Sequence, residues 1–154
     1  MNKKEELSYR KLKFKCTNYN EGNCRTSFNG LDLTRDKFSS LIKKWHTVVE
    51  TYSDLKTQDG FYLRIFVVAF SRKIKSQVKK FTYLKSSQIR SIRRKMNEII
   101  IKEGLKSTMK DLIGKFISEK IAEEIKKVCS KIFPLQNIFV RKVKVLQRPF
   151  DTKE

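Results

Sequence analysis

The residues able to carry metal or nucleophilic chemistry are few and poorly spaced. The chain holds Cys16, Cys24 and Cys129 and a single histidine, His46. A structural zinc takes four ligands at short, defined spacings. No C-x-x-C pair occurs, and the step from Cys16 to Cys24 is not a zinc-ligand spacing. The cysteines read instead as small core or surface side chains. A Cys–His couple can be drawn between His46 and any of the three, but no motif supports it. The phosphate-cradling patterns GxxxxGK[ST] and GxGxxG are absent, as is HExxH. Glu123 and Glu124 fall on the polar side of an amphipathic helix, which suits a solvated face or a docking surface better than acid–base work. The expectation is no catalytic residue, no metal and no cofactor.

What remains is charge. The 154 residues include 36 Lys+Arg against 16 Asp+Glu, a formal charge of +20. Self-repulsion of that size favours a polyanionic partner, nucleic acid first and an anionic membrane surface second. Between Asp59 and Glu98 there is no acid, while Arg64, Arg72, Lys73, Lys75, Lys79, Lys80, Lys85, Arg90, Arg93, Arg94 and Lys95 all fall there. A charge run is ordinarily a solvated helix face; one this long, with no acid in it, points to phosphate. Phe81 and Tyr83 interleave with the loop's cations, which suits phosphate contact plus stacking of bases or sugars. No homeodomain, zinc-finger or bZIP pattern is present. A scattered basic surface fits a structured RNA read by shape and phosphate.

The elements that must position these residues read as mixed. Tyr9 to Cys16 alternates as a strand, Asn18 to Asn23 is a turn, and Cys24 to Phe28 is a second strand closed by Asn29-Gly30. Thr34 caps a helix with Asp36 in its first turn; Phe38, Leu41, Ile42 and Trp45 form its apolar stripe, with Lys43 and Lys44 pointing away. On that stripe Trp45 belongs to the core. Val48 to Leu55 is a strand, Asp59-Gly60 a hairpin turn, and Phe61 to Phe70 a strand apolar on both faces and therefore central. Ser71 to Lys85 is an exposed basic loop. Ser87 to Lys102 is a helix buried through Ile89, Ile92, Met96 and Ile99, with Arg90, Arg93, Arg94 and Asn97 flanking the stripe. Met109, Leu112, Ile113 and Phe116 mark a short helix. Ser118 caps a longer one, ended by Pro134. Ile138 to Leu146 is a last strand, with Ile138, Val140, Lys142 and Lys144 on one face and Phe139, Arg141, Val143 and Val145 on the other. The order β-β-α-β-β-loop-α-α-α-β argues for α+β: a mostly antiparallel sheet or partial barrel with flanking helices.

The length suits one domain, expected over 1–150, with a short tail at 151–154. There is no apolar run long enough to span a membrane. The charged start Met1-Asn2-Lys3-Lys4-Glu5-Glu6 is no signal peptide. An odd cysteine count without an export signal implies reduced thiols in a cytosolic or nuclear compartment.

Several stretches occur together in a specific order: Gly30-Leu-Asp-Leu-Thr-Arg-Asp-Lys37, Lys43-Lys44-Trp45, Asp59-Gly60-Phe-Tyr-Leu-Arg-Ile-Phe66, Gln88-Ile-Arg-Ser-Ile-Arg-Arg-Lys-Met96, Ile132-Phe-Pro-Leu135 and Phe139-Val-Arg-Lys-Val-Lys144. The ordered set, from about residue 9 to about residue 150, resembles the eukaryotic and archaeal small-subunit ribosomal proteins of the S-one-e family, older name S-three-a. The resemblance implies a non-enzymatic constituent of the small ribosomal subunit, cytoplasmic in ribosomes and assembled in the nucleolus if eukaryotic. It implies a place on the platform near the messenger exit and the 3′ end of the rRNA, with other platform proteins and, in eukaryotes, initiation factor three as neighbours. Carried over by motif, Arg72, Lys73, Lys75, Lys79 and Lys80, the helix residues Arg90, Arg93, Arg94 and Lys95, and Arg141, Lys142 and Lys144 of the last strand would neutralise phosphate. Lys43, Lys44 and Lys85 join them by charge, and Phe81 and Tyr83 by stacking. Family members usually carry further N-terminal strands and a long C-terminal tail, so the chain is expected to be shortened at both ends. The sheet edge this opens should be covered by rRNA or a neighbouring protein. The competing expectation is a free regulatory RNA-binding protein; an RNA-processing enzyme and a peripheral membrane protein rank lower.

Overall fold

The computed structural model describes residues 9–149. Residues Met1–Glu6 and the expected tail at 151–154 lie outside them. Strands β1 (Arg10–Asn20), β2 (Asn23–Leu33), β3 (Val48–Lys56), β4 (Tyr62–Ser71) and β5 (Leu135–Gln147) form one sheet in the order β1-β2-β5-β4-β3. Every pairing is antiparallel. Helices α1 (Arg35–Leu41), α2 (Ser86–Leu105), α3 (Met109–Ile117) and α4 (Lys120–Cys129) complete the α+β fold the sequence predicts.

The sheet's two faces are unequal. One is covered by α2, α3 and α4, and the main core lies between them. Val49, Leu55, Leu63, Ile65, Val67 and Val143 meet Ile92, Met96, Ile99 and Ile100 of α2, Leu112 and Phe116 of α3, and Ile121 and Ile125 of α4. The expected stripe of α2 is thus the buried one. On the opposite face only α1 packs, closing a small cluster of Leu41, Val68 and Phe70 with Phe38, Val48 and Phe139. β4 is an interior strand between β5 and the edge strand β3, buried on both sides where α1 lies; the middle strand is β5.

Five local expectations need correcting. The first hairpin is longer than predicted and turns at Glu21-Gly22, both with positive φ, 43° and 83°, which the right-handed twist of paired strands favours in a two-residue turn. Asn29-Gly30 is not a turn. Gly30 sits within β2 opposite Lys144, where a Cβ would stand 2.8 Å from the Val143 carbonyl oxygen. Helix α1 stops at Leu41, so Ile42 is 53 % exposed and Trp45, with φ 73°, lies in the turn beyond. Ser118 ends α3 rather than capping α4, whose N-cap is Glu119 at φ 58° with no side-chain cap; Thr108 caps α3, its hydroxyl accepting from the Asp111 amide at 3.3 Å. Lastly, β5 does not alternate through its length. Phe66 pairs with Lys142 but Val67 with Val140, so Arg141 is an extra residue. That bulge puts Val140, Val143 and Val145 together on the helix-covered side and turns Lys142 and Lys144 to the other.

The thiol expectation also fails for two of the three cysteines. Cys16 and Cys24 are joined as a disulfide across the first hairpin, with Cα atoms 6.3 Å apart, because the paired strands bring them within bridging reach. Cys129 is free and buried in the core. No helix among the described residues is long and apolar enough to cross a membrane.

Candidate nucleic-acid interface

The basic loop begins where β4 ends and is fastened at few points. The Arg72 amide donates to the Pro134 carbonyl at 2.9 Å. Ser71, fully buried, donates its hydroxyl to the Thr82 carbonyl at 2.6 Å and accepts from the Thr47 amide at 2.9 Å. The Thr82 amide donates to the Trp45 carbonyl at 2.8 Å, and the Leu84 amide to the Thr47 hydroxyl at 3.0 Å. Inside the loop the Gln77 amide group donates to the carbonyls of Lys79 at 3.2 Å and Phe81 at 2.8 Å. Residues 81–84 are therefore extended against 45–47, with Thr82 and Leu84 buried and Phe81 and Tyr83 outward.

That alternation builds an aromatic cluster among cations. The Phe81 and Tyr83 rings stack, 5.6 Å between centroids and 19° between planes. Lys79 lies 5.9 Å from the Phe81 ring, while Lys44 and Lys80 lie 4.7 Å and 5.0 Å from the Trp45 ring. Trp45 is half-buried and flanked by ammonium groups, not a core residue as expected. Its position is set by the early end of α1 and by the loop laid across it, neither of which a helical spacing reveals. The run Lys43-Lys44-Trp45 beside a basic loop was the available signal.

Helix α2 follows directly. The Gln88 side chain accepts from the Lys85 amide at 3.0 Å and closes its first turn. Arg90, Arg93, Arg94 and Lys95 are all exposed, since Ile92 and Met96 take the buried side. They are not equally free. Lys95 is paired with Glu98 at 2.7 Å, and Arg93 donates to the Glu50 carbonyl at 3.0 Å. Arg90 and Arg94 form no ion pair among the described residues. Asn97 does not flank the surface; its side-chain oxygen accepts from the Thr51 hydroxyl at 2.6 Å, against β3.

The cations of β5 stand elsewhere. Arg141 pairs with Glu50 at 3.0 Å and lies 4.1 Å from the Phe38 ring. Glu50 thus joins Arg93 of α2 to Arg141 of β5 around the edge strand β3. Lys142 shares Asp32 with Lys13, at 3.4 Å and 3.6 Å. Loop and α2 make one continuous cationic surface; Arg141 adjoins it, and Lys142 and Lys144 belong to the open sheet face. No group of three or more His, Cys, Asp or Glu side chains able to hold a metal occurs among the described residues.

Fold and surface together define a basic α+β protein: a helix-backed antiparallel sheet whose 72–85 loop and the start of α2 present cations and rings with no acid before Glu98. Residues 1–149 match the Ribosomal S3Ae family, and the chain belongs to that family. It is 48 % identical over 149 residues to the small ribosomal subunit protein eS1 of Cryptosporidium hominis. It is 46 % identical over the same length to the proteins of that name from Plasmodium falciparum and Plasmodium vivax. Each comparison covers 97 % of this chain and 57 % of the relative, so the chain spans a little over half the length of these relatives.

Proposed function

We propose that the protein is a structural constituent of the small ribosomal subunit that holds folded rRNA, without enzymatic activity. The observation that carries this is the run of cations over residues 72–97, the loop and the first part of α2, which holds no acid, in a chain of the Ribosomal S3Ae family. Arg72, Lys73, Lys75, Lys79, Lys80 and Lys85 with Arg90, Arg93, Arg94 and Lys95 neutralise phosphates. Lys43, Lys44 and Arg141 extend the surface beside α1. Phe81 and Tyr83, joined by Trp45, offer rings to an unpaired base or sugar. Residues 1–150 act as one rRNA-binding unit.

The finer placement belongs to the same reading. The protein sits on the platform, near the messenger exit and the rRNA 3′ end, beside other platform proteins and initiation factor three. It works in cytoplasmic ribosomes, after assembly in the nucleus or nucleolus if its source is eukaryotic. The outer edge of β1, exposed along nearly all its length, is covered there by rRNA or a neighbouring protein.

The test is a high-salt-washed sucrose gradient of cell lysate with quantitative and intact-mass spectrometry. Retention at about one copy per small subunit is the expected result. Release by salt, or migration with free ribonucleoprotein, would make it a peripheral RNA-binding factor instead.

A further inference from the structure

The open part of the sheet face opposite α2 carries a second set of rings and cations. Tyr52 on β3 and Phe66 on β4 are direct cross-strand partners, their centroids 6.0 Å apart. Tyr52 is 59 % exposed and Tyr62, four residues before Phe66 on the same face, is 39 % exposed. Two residues along from that pair, on the same face, Asp54 faces Arg64, and the Arg64 guanidinium lies 5.3 Å from the Tyr52 ring. β5 completes the face, Lys142 opposite Phe66 and Lys144 opposite Arg64, with Lys144 5.8 Å from the Phe66 ring. Helix α1 stops short of these residues.

We infer that this face is a stacking platform for unpaired bases of single-stranded RNA, separate from the loop-and-α2 surface. A sheet with exposed rings on adjacent strands presents flat π-surfaces to bases whatever their identity. Arg64 adds a guanidinium plane, and Asp54 holds it in place through two hydrogen bonds of 2.6 Å. Charge selects the occupant: Arg64, Lys142, Lys144 and Lys13 stand against Asp54 and Asp32. Cations over the Tyr52 and Phe66 rings suit phosphates between stacked bases better than the apolar face of another protein.

The inference extends the RNA-binding reading, and the experiment separates the two. Fluorescence anisotropy of the full chain compares a labelled oligouridylate of about ten nucleotides with an RNA duplex. Tyr52→Leu should weaken single-strand binding by about tenfold, with the salt slope unchanged because no charge is lost. Duplex binding should hold within about twofold. Arg94→Gln should instead weaken duplex binding. An inert Tyr52→Leu, or a parallel loss on duplex, overturns the platform alone; an inert Arg94→Gln counts against the basic-surface reading alone. A concentration-dependent dimer that Tyr52→Leu abolishes would also overturn the platform, making the face a contact between copies. Should the leucine variant fail to fold, 4-thiouridine crosslinking of the unaltered chain decides: crosslinks at Tyr52, Tyr62 or Phe66 support the platform, and crosslinks confined to 72–95 overturn it.

Discussion

Asp54 and Arg64 face each other directly across β3 and β4 and are joined by a forked pair of hydrogen bonds, each 2.6 Å. That hydrogen bonding holds the Asp54 carboxyl below the usual carboxylate range, against the opposing effect of desolvation. A lowered acid contributes stability above its unfolded pKa, about 3.9, and loses it as pH falls through the folded value. The pair therefore stays intact through the neutral range. Asp54→Asn should change folding near neutral pH only slightly, since the pair is half-exposed and screened by solvent. It should release one cation onto the open face. The salt dependence of oligouridylate binding should steepen by about 0.7. An unaltered slope would mean that Arg64 does not meet phosphate.

The cations of α2 should differ in weight although the sequence presents them alike. Replacing Arg93, Arg94 and Lys95 with glutamine should weaken binding to an rRNA fragment and flatten the salt slope by about two. Arg94→Gln should account for more of this than Lys95→Gln, because Lys95 already pairs with Glu98 at 2.7 Å. Single-variant salt titrations check the ranking; equal slopes would contradict it.

The 72–85 loop should depend on Ser71. Its hydroxyl, fully buried, donates to the buried Thr82 carbonyl and accepts from the half-buried Thr47 amide. Ser71→Ala leaves those groups unpaired, a cost of about 1–3 kcal/mol. It should also free residues 81–84 from 45–47. Trp45, the single tryptophan, reports this: its emission should shift to the red in Ser71→Ala, alongside a lowered urea midpoint. RNA added to the unaltered protein should quench it.

How far such features are legible depends on the range of the forces that make them. Helix α2 was readable because the Ile92–Met96–Ile99 stripe and its cationic flank are local patterns. β3 and β4 were readable from Asp59-Gly60 and the apolar run after it. The platform was not, since Tyr52, Phe66 and Lys142 meet only through register, and the bulge at Arg141 reverses the face on which an alternating strand would put Lys142. Gly30 shows the same limit. After an asparagine it reads as a turn, and only the approach of β5 explains it.

Gly30 and Gly104 therefore differ in cost. A Cβ on Gly104 would meet Leu55 methyl groups at 2.6 Å and 2.7 Å, the ends of a side chain that can turn. A Cβ on Gly30 would meet the Val143 carbonyl oxygen at 2.8 Å, on a backbone that cannot move without breaking the β2–β5 pairing. Gly104→Ala should cost about 1–3 kcal/mol by overpacking. Gly30→Ala should cost more. It should also raise amide exchange through β1 and β2, which join the sheet only at Gly30–Asp32. Exchange confined to the α2 side would refute this.

Cys129 gives the protein an alkaline limit. Burial pushes its thiol above the usual range, opposed only by the positive charge of Lys95. A raised acid contributes stability below the unfolded pKa, about 8.5, and that contribution disappears as pH rises toward the folded value. The unfolded chain releases its proton first, so unfolding gains ground above about pH 8.5. Thiolate chemistry confuses such a test, because Cys129 can attack the Cys16–Cys24 disulfide once it is exposed. A chain carrying Cys16→Ser and Cys24→Ser removes that route. In it, urea midpoints between about pH 8 and about pH 10 should fall further than when Cys129→Ala is added. Alanine itself lowers the midpoint at every pH by leaving a small cavity, so the difference in slope, not in height, belongs to the thiol. Parallel pH profiles for the two proteins would show that the buried thiol does not couple to folding.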